Sequence, residues 1–481
     1  MIVNTPQSSC AFAMRRADIT PPVGIYHRMW GAAVHDRAEG IHRPLLVTAM
    51  VFRPLDAAAA SDSQQVLVAL DHCLFGAVEM TSLLDSISVA AGLPADCVSV
   101  VFSHTHAAGL MSLDRVALPG GELITAYLHR LDQTVAQLVA EASHSVEPAV
   151  ITYGLGHCGL AAHRDLWDET RQHWACGFNP TGPADDTLLV ARVTGADDRV
   201  LATLVNYACH PTTLAWQNRL ISPDFPGALR ETVEQHTGAP CVFLQGASGD
   251  LGPREGFVGD VRAADQNGRQ LAFAALSVLT ALPPPKTRFV YQGPVVSGAT
   301  LGTWAHETLP QESLELCTVW RRERLQIPLP YREDLPKVEQ VEQEREQLAA
   351  QEATARAAGD ENAARDARAL VERKTRLLSR LRALPQGPEF PYDICVWRVG
   401  HAVWLCVQGE PYHEMQQALR RRFPDVSLVI CGLAGGWGPS YLPTRDTYGQ
   451  GIYQESVAVL PAGSLERVIE AAAQCIERSL A

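Results

Sequence analysis

The chain has 481 residues, enough for one large domain or two to three ordinary ones. Hydrophobic residues make up 47% and charged residues 19%, the balance of a well-packed globular protein rather than a disordered one. The net charge of −13 comes without any basic cluster, which excludes a nucleic-acid binder, and no run approaches the ~18 apolar residues of a membrane-spanning helix.

The first segment, MIVNTPQSSCAFAMRRADITPP, lacks an apolar stretch of signal-peptide length. Twelve cysteines are present and none forms CxxC, so free thiols in a reducing compartment are expected, and with them a cytoplasmic location. Asp18 and the prolines after it read as a capped turn, and the alanines at 57–60 as an exposed loop. VLVALD (66–71) reads as a buried strand, 79–93 as a helix, VSVVFSH as a strand and 122–146 as a long helix of period near 3.6. LLVARVTG, VLATLVNYACH and APCVFLQGASGD follow as strands, with Asp224 placed to cap a helix between the last two. The pattern is α/β, mixed β-sheets layered with helices.

Residues 331–383 differ: they are rich in Ala, Glu, Arg, Gln and Leu, with one break at Gly359-Asp360. They predict an inserted αα-hairpin between 1–330 and 384–481, which together would form one domain. A packing or projecting hairpin without chemistry is expected, with a lid or a homodimer contact as alternatives. Beyond it, strand-turn character returns, and the helix SLERVIEAAAQCIERSL closes the chain.

Six segments place polar residues where strand-like or Gly-rich runs end: SHTHAAG (103–109), AAHRDLW (161–167), NYACHPTTL (206–214), LQGASGDLGPRE (244–255), VQGEPYHEM (407–415) and GPSYLPTRDTYGQGIYQES (438–456). In an extended strand end, His104 and His106 would share one face, suited to a metal ion or a proton-transfer pair. His104, His210 and Glu410 offer a two-histidine, one-carboxylate set for zinc. Each also has a plain reading: a hydrogen-bonded loop histidine in a chain with 16 histidines, or an ordinary loop carboxylate. HExxH and GxSxG are absent, and HTHAAG is not the HxHxDH of metallo-β-lactamase-like hydrolases.

Taken in order, ADITPPVG, SHTHAAG, the HR of AAHRDLW, ACHPTTL with ISPDFPG, LQGASGDLGP, GEPYHEM and SYLPTRDTYGQGIYQES resemble the catalytic domain of the neutral (non-lysosomal) ceramidase family. The resemblance covers most of the chain outside 331–383. It implies that zinc is held by His104, His210, Glu410 and Tyr441, and that His106 and Arg164 assist at the scissile amide. Tyr441 enters through the resemblance alone; on its own it reads as a packing tyrosine. Two departures stand out. Gly252 occupies the position of a family serine, and Ser248 is no obvious replacement. The secretion signal and the C-terminal immunoglobulin-like domain of the family are also not found in this sequence.

The expected activity is hydrolysis of a C–N amide bond of a small soluble substrate by a metal-activated water. True N-acylsphingosine (ceramide) hydrolysis, an esterase or lactonase with the same site, and a catalytically silent metal-binding scaffold are the alternatives. Asp250 is a candidate to orient a ligand histidine or a plain turn residue. His157 and His163 are spare candidates, and Trp437 and Tyr412 candidate pocket walls or core aromatics.

Overall fold

The computed structural model describes residues 1–56, 63–436 and 438–481, so the alanine loop at 57–60 and Trp437 lie outside the described residues. An eight-stranded mixed sheet is built from β1 (Gln7–Asp18), β2 (Leu46–Arg53), β3 (Gln65–Leu70), β4 (Val98–Phe102), β5 (Glu147–His157), β6 (Thr187–Gly195), β7 (Val200–Tyr207) and β8 (Cys241–Gln245). Its spatial order is β8-β7-β6-β5-β1-β2-β3-β4. The middle is antiparallel, while the two outer pairs, β3/β4 and β7/β8, are parallel.

Each parallel pair is joined by a helix, as parallel pairing requires. Helix α1 (Ala77–Ala91) connects β3 to β4 and α3 (Phe225–Thr237) connects β7 to β8, with α2 (Ile124–Ser143) between them in sequence and α4 (Val261–Ala281) after β8. Asp224 caps α3 as expected, accepting from the Phe225 N–H, and its other oxygen accepts from the Leu214 N–H at 2.8 Å. The strand–helix alternation of the sequence therefore describes the two edges. The long strands β1, β2 and β5 fill the middle and were not separately anticipated, their near-continuous burial giving little alternation to read.

A second sheet contains β9 (Trp320–Pro330), β10 (Glu389–Val399), β11 (Ala402–Val407) and β12 (Ser427–Cys431), in that spatial order. It packs on the first through a shared apolar cluster. Trp397 and Trp404 face each other across β10/β11 and stack at 5.4 Å, and Phe52 of β2 meets Trp404 at 5.3 Å. The turn after β12 then ties both edges of the first sheet together. Gly432 N–H donates to the Gln245 carbonyl and Gly435 N–H to the Val100 carbonyl, each at 3.0 Å. The ends of β4, β7, β8 and β11 are thereby gathered at one place.

Between β9 and β10 run the helices α5 (Val338–Ala357) and α6 (Glu361–Ala383), broken at Gly359-Asp360, with Asp360 capping α6. Helix α6 lies against the main body: Glu372 pairs with Arg115 at 2.9 Å, and Arg368 pairs with Asp36. Among the described residues, no helix is long and apolar enough to cross a membrane.

The tryptophan pair belongs to the apolar cluster that packs the second sheet on the first. Trp404→Ala should cost about 3–5 kcal/mol, as for other large-to-small changes in a packed core, read as a lower denaturant midpoint with an unchanged slope.

Candidate metal centre

Three of the anticipated residues converge on one point. His104 Nε2 lies 3.3 Å and His210 Nε2 2.9 Å from the same oxygen, Oε2 of Glu410, and all three side chains are buried. Each arrives from a different strand end: His104 after β4, His210 after β7 and Glu410 after β11.

His104 does not reach the site by strand alternation. β4 stops at Phe102, and His104 adopts a left-handed φ of 66°. That conformation costs about 1–2 kcal/mol for a residue with a Cβ. The turn is held by the Ser103 N–H on Leu70 O (2.8 Å), the His104 N–H on His72 O (3.0 Å) and the His106 N–H on Pro211 O (3.3 Å). His104 and His106 still come together, with ring centroids 4.7 Å apart, but edge to face across a turn rather than side by side on an extended segment.

Backbone carbonyls set the orientation of all three histidines. A carbonyl only accepts, so each Nδ1 must carry the proton. His104 Nδ1 donates to Cys73 O (2.7 Å), His210 Nδ1 to Ser248 O (2.6 Å) and Leu251 O (3.1 Å), and His106 Nδ1 to His104 O (2.9 Å). In the neutral rings, every Nε2 lone pair is thus turned inward. Asp250, a candidate for this orienting role, does something else. Its carboxylate accepts from the His413 N–H (2.9 Å) and from His413 Nδ1 (2.5 Å), which anchors the segment that carries Glu410. The same segment is pinned by the Gly249 N–H on Pro411 O (2.8 Å).

Glu410 pairs in parallel register with Tyr441, so the two residues stand side by side on neighbouring two-residue strands. The Tyr441 ring stacks on His210 at 6.3 Å, and the Arg164 guanidinium sits 5.3 Å from the Tyr441 ring centre. Arg164 is buried and donates to Gly249 O at 2.5 Å. His163, His157 and Tyr412 stand apart: His163 Nδ1 accepts from the Asp165 N–H, His157 pairs with Asp186 in the open, and Tyr412 belongs to the core.

Electrostatics follow from burial. Burial lowers His210 to about 4 and, with the charges of His104 and His210, lowers His106 well below its usual value. Burial opposes ionisation of Glu410, but His104 and His210 outweigh it and hold the carboxyl well below its normal range. Burial also opposes protonation of His104; the charges of Cys73 and Glu410 outweigh that, and its pKa is raised well above 6.5. The Tyr441 hydroxyl is pushed well above 10 by burial, against the opposing charge of Arg164.

The donor set fits a divalent ion. Two Nε2 atoms facing one buried carboxylate oxygen need a proton or a cation between them, and a divalent ion would meet all three donors at once. His104 Nε2 is buried without a hydrogen bond in the protein. Zinc bonds of ~2.0–2.2 Å in a tetrahedral arrangement imply donor separations of about 3.3–3.6 Å; the 3.3 Å of His104 matches, and the 2.9 Å of His210, a hydrogen-bond distance, would have to open on binding. A second grouping, Cys73 with His104 and His106, would use His104 through Nδ1 or Nε2. Because Nδ1 is committed to the Cys73 carbonyl, the grouping with Glu410 is the better-organised one.

A cavity of about 710 Å³ opens over His106, Arg164 and Tyr441. One of its walls is α6, so the hairpin is not a bystander to the site. The sequence analysis did not assign a role to the basic residues of α6 or to Trp30, Trp216 and Phe257, which also line the cavity. A signal was present: Arg373, Arg376 and Arg380 recur at helical spacing and so fall on one face.

The loop after β8 yields a paired prediction. A Cβ at Gly249 would run into the Glu410 carbonyl oxygen, with Pro411 O at 3.0 Å, whereas a Cβ at Gly252 would meet only Thr212 Oγ1 at 3.7 Å and Arg164 Cδ at 4.0 Å. Gly249→Ala should therefore cost about 1–3 kcal/mol, and Gly252→Ser should stay within about 0.5 kcal/mol of the parent in thermal unfolding.

No family model and no curated protein matches the sequence. Two solved structures match the fold over 99% of this chain at 16% identity and a TM-score of 0.63. They are neutral ceramidase from Pseudomonas aeruginosa, covered over 75% of its length, and a ceramidase complexed with C2, covered over 76%. The chain has the fold of the neutral ceramidases.

Proposed function

We propose that this protein is a zinc-dependent hydrolase that cleaves a C–N amide bond of a small soluble substrate. The observation that carries the proposal is the convergence of His104 Nε2 and His210 Nε2 on one buried Glu410 oxygen, with each Nδ1 tied to a backbone carbonyl. In this reading His104, His210, Glu410 and Tyr441 hold the ion. When bound, zinc supplies an acidified water and a Lewis acid for a carbonyl oxygen.

The rest falls to the chain's own side chains. His106 keeps its Nδ1 proton on His104 O, leaving Nε2 to accept a proton and pass it to the leaving nitrogen. Burial and the neighbouring histidines keep that ring neutral, as an acceptor must be. Arg164 is permanently charged and buried, and holds the negative charge that develops on the carbonyl oxygen. The cavity has the size of a small-molecule site. The names of the two structural neighbours favour a second reading, cleavage of ceramide by the same apparatus.

Purified protein should carry about one zinc per chain, and chelation should abolish release of the acyl group from a short N-acyl amide. His104→Ala and His210→Ala should lose metal and at least ~10³-fold of activity together while keeping their far-UV circular dichroism. Full turnover by metal-stripped protein would contradict the proposal, and cleavage of ceramide alone would favour the second reading.

A further inference from the structure

The cavity's charge is opposite to that of the protein. The chain carries −13 overall, yet the cavity is lined by five cationic side chains, Arg164, Arg373, Lys374, Arg376 and Arg380, against one acid, Glu372. That acid is already answered by Arg115 and Arg376, at 2.9 and 2.8 Å, and Lys374 is paired with Glu344, which leaves the charge of the wall to the arginines. Arg164 and Arg373 donate to neutral oxygens, Gly249 O and Ser456 Oγ. Four of the five cations come from α6.

The polar atoms left over in the wall are of one kind. Trp30 Nε1, Arg164 Nε and Thr212 Oγ1 are buried and have no hydrogen-bond partner in the protein. The first two can only donate, and the third can. Donors without acceptors, inside a cationic cavity, call for a ligand rich in acceptors and negatively charged. Beside them is an apolar surface. Trp30 packs on His106 at 5.3 Å, on Phe257 at 5.5 Å and on Trp216 at 6.3 Å. His106 thus borders an aromatic box in a cavity that the arginines also line.

We infer that the substrate is an amide bearing a carboxylate, of the N-acyl amino acid class. The carboxylate is held by the arginines of α6, Arg164 keeps its place at the carbonyl oxygen, and the apolar part lies in the box of Trp30, Trp216 and Phe257. This rests on the hydrolase reading and deepens it. Water adds its oxygen to the acyl carbon and the C–N bond breaks. The nitrogen leaves with its electron pair and takes up protons, giving a carboxylate and a free amino acid, with no oxidant or second substrate. Helix α6 then sets specificity, which makes the hairpin a selective wall.

The test compares N-octanoylphenylalanine with its neutral carboxamide on zinc-loaded protein, reading octanoate release from both. The acid should show a kcat/KM at least ~10-fold higher, the usual value of a charge-assisted hydrogen bond. Arg380→Gln should erase most of that preference, lowering kcat/KM for the acid about 10-fold more than for the carboxamide. Equal rates on the two compounds with native protein would overturn the inference while leaving amide hydrolysis standing. A preference unchanged in a folded Arg380→Gln variant would overturn the role of α6. If neither compound is cleaved while a short N-acyl amide is, the inference fails and the hydrolase reading stands; if none of the three is cleaved, the hydrolase reading fails, and titration calorimetry with the same pair decides the anion site. Tenfold tighter binding of the acid supports it, and equal binding overturns it.

Discussion

A buried carboxylate with two imidazole nitrogens aimed at it is the constraint on which this structure turns. Glu410 is charged and almost wholly removed from water, and its Oε2 is the meeting point of His104 and His210. An isolated buried charge is not tolerated, and removing one partner from such a group costs about 3–5 kcal/mol. The surrounding chain is arranged to keep this meeting point intact. Carbonyls from residues 73, 248 and 251 fix the imidazoles, while the Asp250–His413 pair and the Gly249 amide fix the segment that bears the acid.

The fold explains how such distant residues meet. The eight-stranded sheet ends on each side in a parallel strand–helix–strand unit, and each unit delivers one histidine at a strand end. The second sheet delivers Glu410, and its turn at Gly432–Gly435 ties it to both edges of the first. Local strain accompanies the arrangement: His104, Leu433 and Ser440 all have left-handed φ values without being glycine. Such residues persist only where surrounding bonds over-determine them, and they gather at sites that need a fixed geometry.

Much of this was legible in the sequence, for identifiable reasons. The α/β pattern, the break between α5 and α6 and the cap at Asp224 follow from periodicity, a Gly-Asp punctuation and an Asp before Phe-Pro. His104, His210 and Glu410 were legible because each follows an apolar run that had to be a buried strand. The route to His104 was not, since nothing in HTH marks a left-handed turn. The orienting partners were not legible either, because they are backbone carbonyls, which any residue supplies. Asp250 was a fair candidate by type, but its neighbour in space is His413, and only the fold decides that. Helix α6 packs on the main body, as a packing hairpin would, but its place in the cavity wall was not legible, because the aromatic residues that share the cavity, Trp30, Trp216 and Phe257, are distant from it in sequence.

A candidate metal centre thus stands beside a cavity wall formed by α6. Strand ends and carbonyls serve the first, and an inserted helix of opposite charge to the protein serves the second. The central claim is that the inward nitrogens and the Glu410 oxygen enclose a metal ion. Anomalous X-ray diffraction across the zinc absorption edge, on crystals of the protein as purified, tests that claim most directly. The account predicts one zinc peak within about 2.0–2.3 Å of His104 Nε2, His210 Nε2 and a Glu410 oxygen. A map with no peak there, and Glu410 bonded straight to a protonated histidine, would contradict it.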